Sequence, residues 1–481
     1  MNREYLETSL FPLPPQDDGL QHSWKVRNAV EGVQIFGGIG SGKTSGSGRT
    51  LALKYLKAGF GGLVLTVKPD EVDLWREYCQ LTGRSDDLVV IEPGGQERFN
   101  FLEYESAIST SAVTQNVHQL LKTVINAGKD KAGGSNNDPF WEDALDLVLL
   151  HLIELCLLAH ERVTISDLND IAQHLPQKQV GQVTSQLDKL NKAKPLNDYD
   201  RALDAIMAKA EKEEQYQRAV KMVKEFFESK YSVLADRTRS IIDFTFLSFM
   251  SRLMREPVFS LFCTGNSTIT PDDCRKGKII LLNLPVKQYD KVGRDCQIMF
   301  KYIWQRAMER TLANNEHSRV VFLWADEAQN FIHEHDADFQ ATARSSQVAT
   351  VYLTQNLPNY YANMGGAKYR YKTQSFLGTL ATKFFHANAD TETNEYASKL
   401  IGKTDRVKKS QGFTDSMGDD SENTTISVER DELVRPEQFT RLENGGAANN
   451  KMVEAYIHFQ GNVLGGQVSH TLLTFNQDFL P

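Results

Sequence analysis

Short apolar runs bounded by turn residues recur along the first part of the chain. VQIF (33–36), GLVLTV (62–67) and DLVVIEP (87–93) are the clearest. Continuous apolar runs of this length read as strands covered on both faces. Between them, TLALKYLKAGF and DEVDLWREYCQL place apolar residues at helical spacing. The order over 31–105 is therefore β-α-β-α-β, which predicts an α/β fold with a mainly parallel, doubly wound sheet.

From about 107 to 260 the pattern is almost wholly helical. AVTQNVHQLLKTVINAG is amphipathic, GKDKAGGSNNDPFW breaks it, and FWEDALDLVLLHLIELCLLAH follows as a strong helix. The charge run in ALDAIMAKAEKEEQYQRAVKMVKEFFESK reads as a solvated helix face. This block predicts a helical insertion within the α/β domain. Strand signals return at 278–286, 319–328, 348–356 and 381–388, and the tail MVEAYIHFQGNVLGGQVSHTLLTF predicts a closing hairpin. The polar segment 403–430 predicts a mobile excursion or a long hairpin, and residues 1–30 a partly ordered leader.

Composition narrows the class. The chain has 481 residues, 41% hydrophobic and 24% charged, ordinary values for a globular protein of two or three domains. The net charge of −8 excludes a uniformly basic nucleic-acid coat but leaves room for a local basic strip. Five scattered cysteines with no CxxC pair predict free thiols rather than a zinc site. ALDLVLLHLIELCLLAH is the nearest approach to a membrane span, but Asp146, His151 and Glu154 interrupt it and make it a buried core helix. The N-terminus is polar and predicts neither a signal peptide nor a membrane anchor.

Two motifs carry chemistry. Gly37, Gly42, Lys43 and Thr44 fit G-x-x-x-x-G-K-[ST], between a strand and a helix. Such a loop wraps phosphate with backbone N–H groups at a helix N-terminus, so Gly37, Gly38, Gly40, Ser41, Gly42, Lys43 and Thr44 are the candidate nucleotide-binding residues. Lys43 would neutralise the β- and γ-phosphates of ATP, and Thr44 would ligate Mg²⁺. Gly46 and Gly48 are costly within the helix that follows. The second motif is VVFLWADEAQNF, an apolar run ending in Asp326 and Glu327. Asp326 would hold Mg²⁺ or its water, and Glu327 would take a proton from the attacking water. Gln355 ends the next strand, where it could sense the γ-phosphate, and Arg344 lies where it could reach a neighbour's nucleotide. The plain alternatives are a strand-end glutamine and a surface arginine.

These motifs, with TVKPDEV, NFLEYE, DPFWEDA, YLTQN, NADTETNEYASKLIG and LVRPEQFTRLENG in order, resemble the TraG/TraD-type coupling proteins of type IV secretion and conjugation. That family stands within the FtsK/HerA group of motor ATPases. The resemblance spans about residues 31–460. It implies a RecA-like nucleotide-binding domain (31–160 and 246–481) and an inserted all-α domain (161–245) facing substrate and relaxase or secretion-system partners. It also implies a hexameric ring that pumps DNA, with Arg344 as an arginine finger. Typical members carry an N-terminal anchor, whereas here the P-loop begins at residue 37. The expectation is therefore a cytoplasmic protein, recruited to the inner membrane by a partner or working on mobile-element or invading DNA. A nucleotide-dependent switch or adaptor for protein cargo is the competing reading; retention of the base Glu327 favours turnover. KTDRVKKS (403–410), with Lys403, Arg406, Lys408 and Lys409, is a candidate pore segment or a solvated loop.

Overall fold

The structure is a computed structural model that describes residues 3–15, 20–108, 113–128, 139–176, 196–311, 319–333, 335–364, 368–416, 419–461, 464 and 469–481. The break expected in GKDKAGGSNNDPFW and part of the 161–245 block (177–195) lie outside the described residues. The strands, in chain order, are β1 (Ser9–Pro12), β2 (Ser23–Lys25), β3 (Val33–Phe36), β4 (Gly61–Leu65), β5 (Leu88–Ile91), β6 (Ile279–Leu282), β7 (Val321–Ala325), β8 (Val348–Thr354), β9 (Thr382–Phe385), β10 (Lys403–Ser416), β11 (Asp419–Glu432), β12 (Met452–Phe459) and β13 (His470–Asn476). Contacts divide the chain into two units, one of residues 1–88, 274–279 and 308–481, the other of 89–273 and 280–307.

In the first unit the strand order is β13-β12-β9-β3-β8-β7-β4. β3, β4, β7, β8 and β9 pair in parallel, while β12 joins β9 and β13 antiparallel as the expected closing hairpin. Every residue of β3, β4, β7, β8 and β9 is buried. That is why these strands read as unbroken apolar runs rather than alternating ones. The β-rich order also brings the C-terminal ends of β3, β4, β7 and β8 together, where ligands of parallel α/β sheets sit.

Residues within the expected leader, 1–30, contribute to this core. β1 and β2 form an antiparallel pair, and Trp24 is 1% exposed, stacked on Phe11 at 5.2 Å and Tyr55 at 6.3 Å. A large aromatic repays ordering of a short polar segment through its buried area. The strands also stop earlier than the apolar runs suggest. β7 ends at Ala325 and β4 at Leu65, because the residues that follow turn into the site described below.

Segment 403–430 takes the hairpin alternative. β10 and β11 form a two-stranded ribbon in register from Lys403↔Glu432 to Ser416↔Asp419. Its basic cluster faces acids on the opposite strand: Arg406 pairs with Asp431 at 3.4 Å and Lys408 pairs with Glu429.

The second unit is mainly helical. Helix Pro139–His160 buries Leu149, Leu152, Ile153, Leu155 and Cys156 completely, as a core helix should. Phe227 and Tyr231, both nearly inaccessible, join His151 and Tyr199 in an aromatic cluster beside it. Among the described residues no helix is long and apolar enough to cross a membrane. All five cysteines are buried, and none forms a disulfide.

Candidate nucleotide-binding site

The site is assembled wholly within the first unit. β3 ends at Phe36, and the loop after it is pinned on both sides. Gly37 N–H donates to Thr354 O (3.2 Å), Gly38 N–H to Ala387 O (2.9 Å) and Ser41 N–H to Gly38 O (3.2 Å). Gly40 and Gly42 take φ of 71° and 78°, which only glycine adopts at low cost. Among the described residues the N–H groups of Gly40, Gly42 and Lys43 donate to no backbone carbonyl. The buried Ser41 hydroxyl likewise has no partner. Unsatisfied donors gathered in a glycine loop ahead of a helix suit an anion.

The helix after the loop starts with a π-turn, Thr44–Gly48. Gly48 N–H reaches back five residues to Lys43 O at 2.9 Å. This turn accounts for glycines that a helix otherwise disfavours. A Cβ on Gly46 would lie 3.0 Å from two atoms of Val453 on β12, and one on Gly48 would lie 3.0 Å from Lys43 O. The closing hairpin is therefore packed directly on the loop. It is also tied there by hydrogen bonds. Gln477 Nε2 donates to Ser45 Oγ at 2.6 Å. His386, 1% exposed, bridges Ser47 Oγ (2.7 Å, from Nε2) and Glu454 O (3.0 Å, from Nδ1). A carbonyl can only accept, so Nδ1 carries the proton and Nε2 accepts from Ser47. Burial pushes the His386 pKa down to about 3.

Asp326 and Glu327 follow β7 directly. Thr44 Oγ1 donates to Asp326 Oδ2 at 2.8 Å, so the two sequence motifs meet, 282 residues apart in the chain. Asp326 Oδ1 accepts the Glu327 N–H at 2.8 Å. Glu327 is left-handed (φ 48°, ψ 49°), a strained backbone for a side chain other than glycine. The turn aims its carboxylate back at the loop, with Oε1 3.7 Å from Lys43 Nζ. Gln329 Nε2 donates to Oε2 at 2.8 Å and Gln355 Nε2 to Oε1 at 3.2 Å. Burial alone would raise the Glu327 pKa. The hydrogen bond from Gln329, the Lys43 charge, Gln355 and the Lys68 charge outweigh it and hold the carboxyl below its usual range. Glu327 is thus an anion at neutral pH, with an acceptor oxygen in a polar pocket.

The loop after β4 enters the same place. β4 and β7 pair with Leu65 opposite Ala325, so Thr66 and Val67 emerge beside Asp326 and Glu327. Glu71, buried at the start of helix Glu71–Leu81, accepts the N–H of Val67 (3.0 Å) and Lys68 (3.3 Å). Burial first, and the Asp326 charge next, raise its pKa to about 8.

Lys43, Thr44, Asp326, Glu327 and Gln355 are therefore brought together with the glycines of the loop. Arg344 is not among them. It follows helix His335–Ala343, has a 67% exposed side chain and lies 3.5 Å from Glu31. The sequence reading singled out neither Gln329, Lys68, Glu71 nor His386. Gln329 and Lys68 lie within motifs it quoted, ADEAQNF and TVKPDEV, so a signal was present. His386 had none, since its role depends on strands far apart in sequence.

The model of the family described as "Type IV secretory system Conjugative DNA transfer" matches residues 15–448. No curated protein matches the chain. Among solved structures, it is similar to the bacterial conjugative coupling protein TrwBdeltaN70 in an unbound monoclinic form. That match has a TM-score of 0.63 at 13% identity and covers 99% of this chain and 91% of that one. TrwB in complex with ADP and Mg²⁺ matches with a TM-score of 0.61 at 12% identity, covering 100% and 91%. TrwB with the non-hydrolysable ATP analogue ADPNP gives 0.59 at 13%, covering 99% and 92%. At such identities the structural likeness speaks for the fold, and the fold is that of a coupling protein. With the family model spanning most of its length, this chain belongs to the type IV secretory system conjugative DNA transfer family.

Proposed function

We propose that this protein is a DNA-stimulated ATPase that assembles into a ring, six-membered in keeping with its family resemblance, and moves DNA through it. The observation that carries the reading is the Thr44–Asp326 hydrogen bond, which joins the phosphate loop to the acid pair, with Glu327 held ionised beside Lys43. The free N–H groups of Gly40, Gly42 and Lys43 and the unpartnered Ser41 hydroxyl fit a nucleotide's phosphates. Relatives of the same fold, the TrwB complexes, hold ADP with Mg²⁺ and an ATP analogue.

In this reading Gly37, Gly38, Gly40, Ser41 and Gly42 cradle the phosphates, and Lys43 neutralises the oxygens between β and γ. Thr44 and Asp326 would hold Mg²⁺, which supplies charge neutralisation on the phosphates when bound. Glu327 accepts a proton as water oxygen bonds to the γ-phosphorus and the bond to ADP breaks. Gln355, hydrogen-bonded to Glu327, links that base to the tip of β8. Arg344, exposed and outside its own chain's site, is assigned to the nucleotide of the next subunit. We assign residues 31–160 and 246–481 to the RecA-like domain, and the all-α block 161–245 to relaxase or secretion-system partners that recruit the protein to its channel.

Glu327→Gln tests the chemistry. It should lower kcat by about 10²–10⁴-fold, the range for loss of a general base, while ATP binding is retained. Hydrolysis at the wild-type rate would remove Glu327 from the mechanism.

A further inference from the structure

We infer that Lys68 is a second cation of the phosphate site, directed at the terminal phosphate of bound ATP, and that Glu71 is the residue that positions it. This rests on the nucleotide-binding reading above. Three observations lead to it.

The first is placement. Leu65 lies opposite Ala325 in the parallel β4–β7 pair, so the chain after β4 runs out next to Asp326 and Glu327. Lys68 is three residues beyond Leu65, in the turn before helix Glu71–Leu81. The second is rigidity. The backbone of Lys68 is clasped from both sides by one residue. Its N–H donates to Glu71 Oε1 at 3.3 Å, and its carbonyl accepts the Glu71 N–H at 3.3 Å. Glu71 Oε2 takes the Val67 N–H at 3.0 Å as well. Pro69 follows and restricts Lys68 to an extended backbone. Yet Lys68 is exposed, so its ammonium remains accessible. The third is charge. The Lys68 charge lowers the pKa of both Glu327 and Glu71, so its ammonium is within electrostatic reach of the acidic side of the site.

The charge balance gives this a purpose. Lys43 is buried and already faces Glu327. Glu327 is an anion in the reaction proposed above, and a triphosphate adds several more negative charges. A lysine entering from the β4 side can neutralise the non-bridging oxygens of the terminal phosphate. A diphosphate lacks those oxygens, so Lys68 should discriminate ATP from ADP.

The test compares dissociation constants for ATP and ADP, together with kcat and KM, in wild type, Lys68→Ala, Lys68→Arg and Glu71→Gln. Lys68→Ala should weaken ATP relative to ADP by about tenfold or more, the scale of one charge-assisted contact, and lower kcat. ADP affinity should stay within about twofold. Lys68→Arg, which keeps the charge, should restore most of the preference. Glu71→Gln keeps an acceptor oxygen and should show the same selective loss in weaker form. An unchanged ATP-to-ADP ratio in Lys68→Ala, or an equal loss of both nucleotides, would overturn the proposal while leaving the ATPase reading intact. A wild-type protein that binds neither nucleotide would overturn both.

Discussion

Glu327 and His386 show how single side chains here depend on partners distant in sequence. Glu327 was legible as an acid after an apolar strand, but not its left-handed backbone or the two amide groups that keep it ionised. His386 could not be read at all, because Ser47 and Glu454 reach it from opposite ends of the chain. Its depressed pKa has a definite sign. The native ring stays neutral down to about pH 3, whereas the unfolded ring takes up a proton below its ordinary 6.5. The stability it contributes is therefore complete above pH 6.5 and is lost as pH falls toward 3, at up to about 1.4 kcal/mol per unit. Urea midpoints of wild type and His386→Gln, measured from pH 7 to pH 5, should converge as the pH is lowered. Parallel curves would mean that the buried ring is not held neutral. His458, pushed down to about 4 by burial, adds acid sensitivity of the same sign in both proteins, so the difference isolates His386.

The elements of the sheet were legible because parallel strands buried on both faces are apolar throughout. Their ends were not. Hydrophobicity continues through Thr66 and Val67, but Glu71 captures the backbone N–H of Val67 that a longer strand would have used. The glycines at 46 and 48 were visible as anomalies without a cause, since Val453 is supplied by a strand formed some four hundred residues later. This packing makes a prediction. Gly46→Ala places a methyl 3.0 Å from Val453, and overpacking of this kind costs about 1–3 kcal/mol. Val453→Ala in the same chain removes the Cγ contacts but keeps the one to Cβ, and should relieve part of that cost. A strictly additive double mutant, measured by denaturant unfolding, would contradict the contact. The β10–β11 ribbon teaches the reverse lesson. KTDRVKKS looks basic when read along one strand, but the register sets Glu429 and Glu432 opposite Arg406 and Lys403. Replacing Arg406 and Lys408 together by Ala should therefore change DNA-stimulated turnover by less than about twofold, because these charges are already paired and exposed pairs contribute little. A collapse of stimulation would restore the ribbon as a DNA contact.

At the scale of the whole molecule the account depends on copies of the chain meeting. The phosphate loop, the acid pair and Gln355 form one site, while Arg344 stands apart, exposed beside Glu31. Mixing Lys43→Ala with Arg344→Ala, each inactive alone, should recover activity, since one supplies the arginine and the other an intact loop. No recovery at any ratio would place Arg344 outside the mechanism. The family could be recognised from motif order alone, but the meeting of Thr44 with Asp326 across 282 residues needed the fold. The most direct test of the central claim is steady-state ATP hydrolysis with and without DNA over a range of protein concentrations, with Lys43→Ala as the blank. An assembling DNA motor predicts strong stimulation by DNA, steepening with protein concentration and weakening sharply with salt. Stable ATP binding with turnover indifferent to every DNA and to concentration would contradict it, and would mark a nucleotide switch for protein cargo instead.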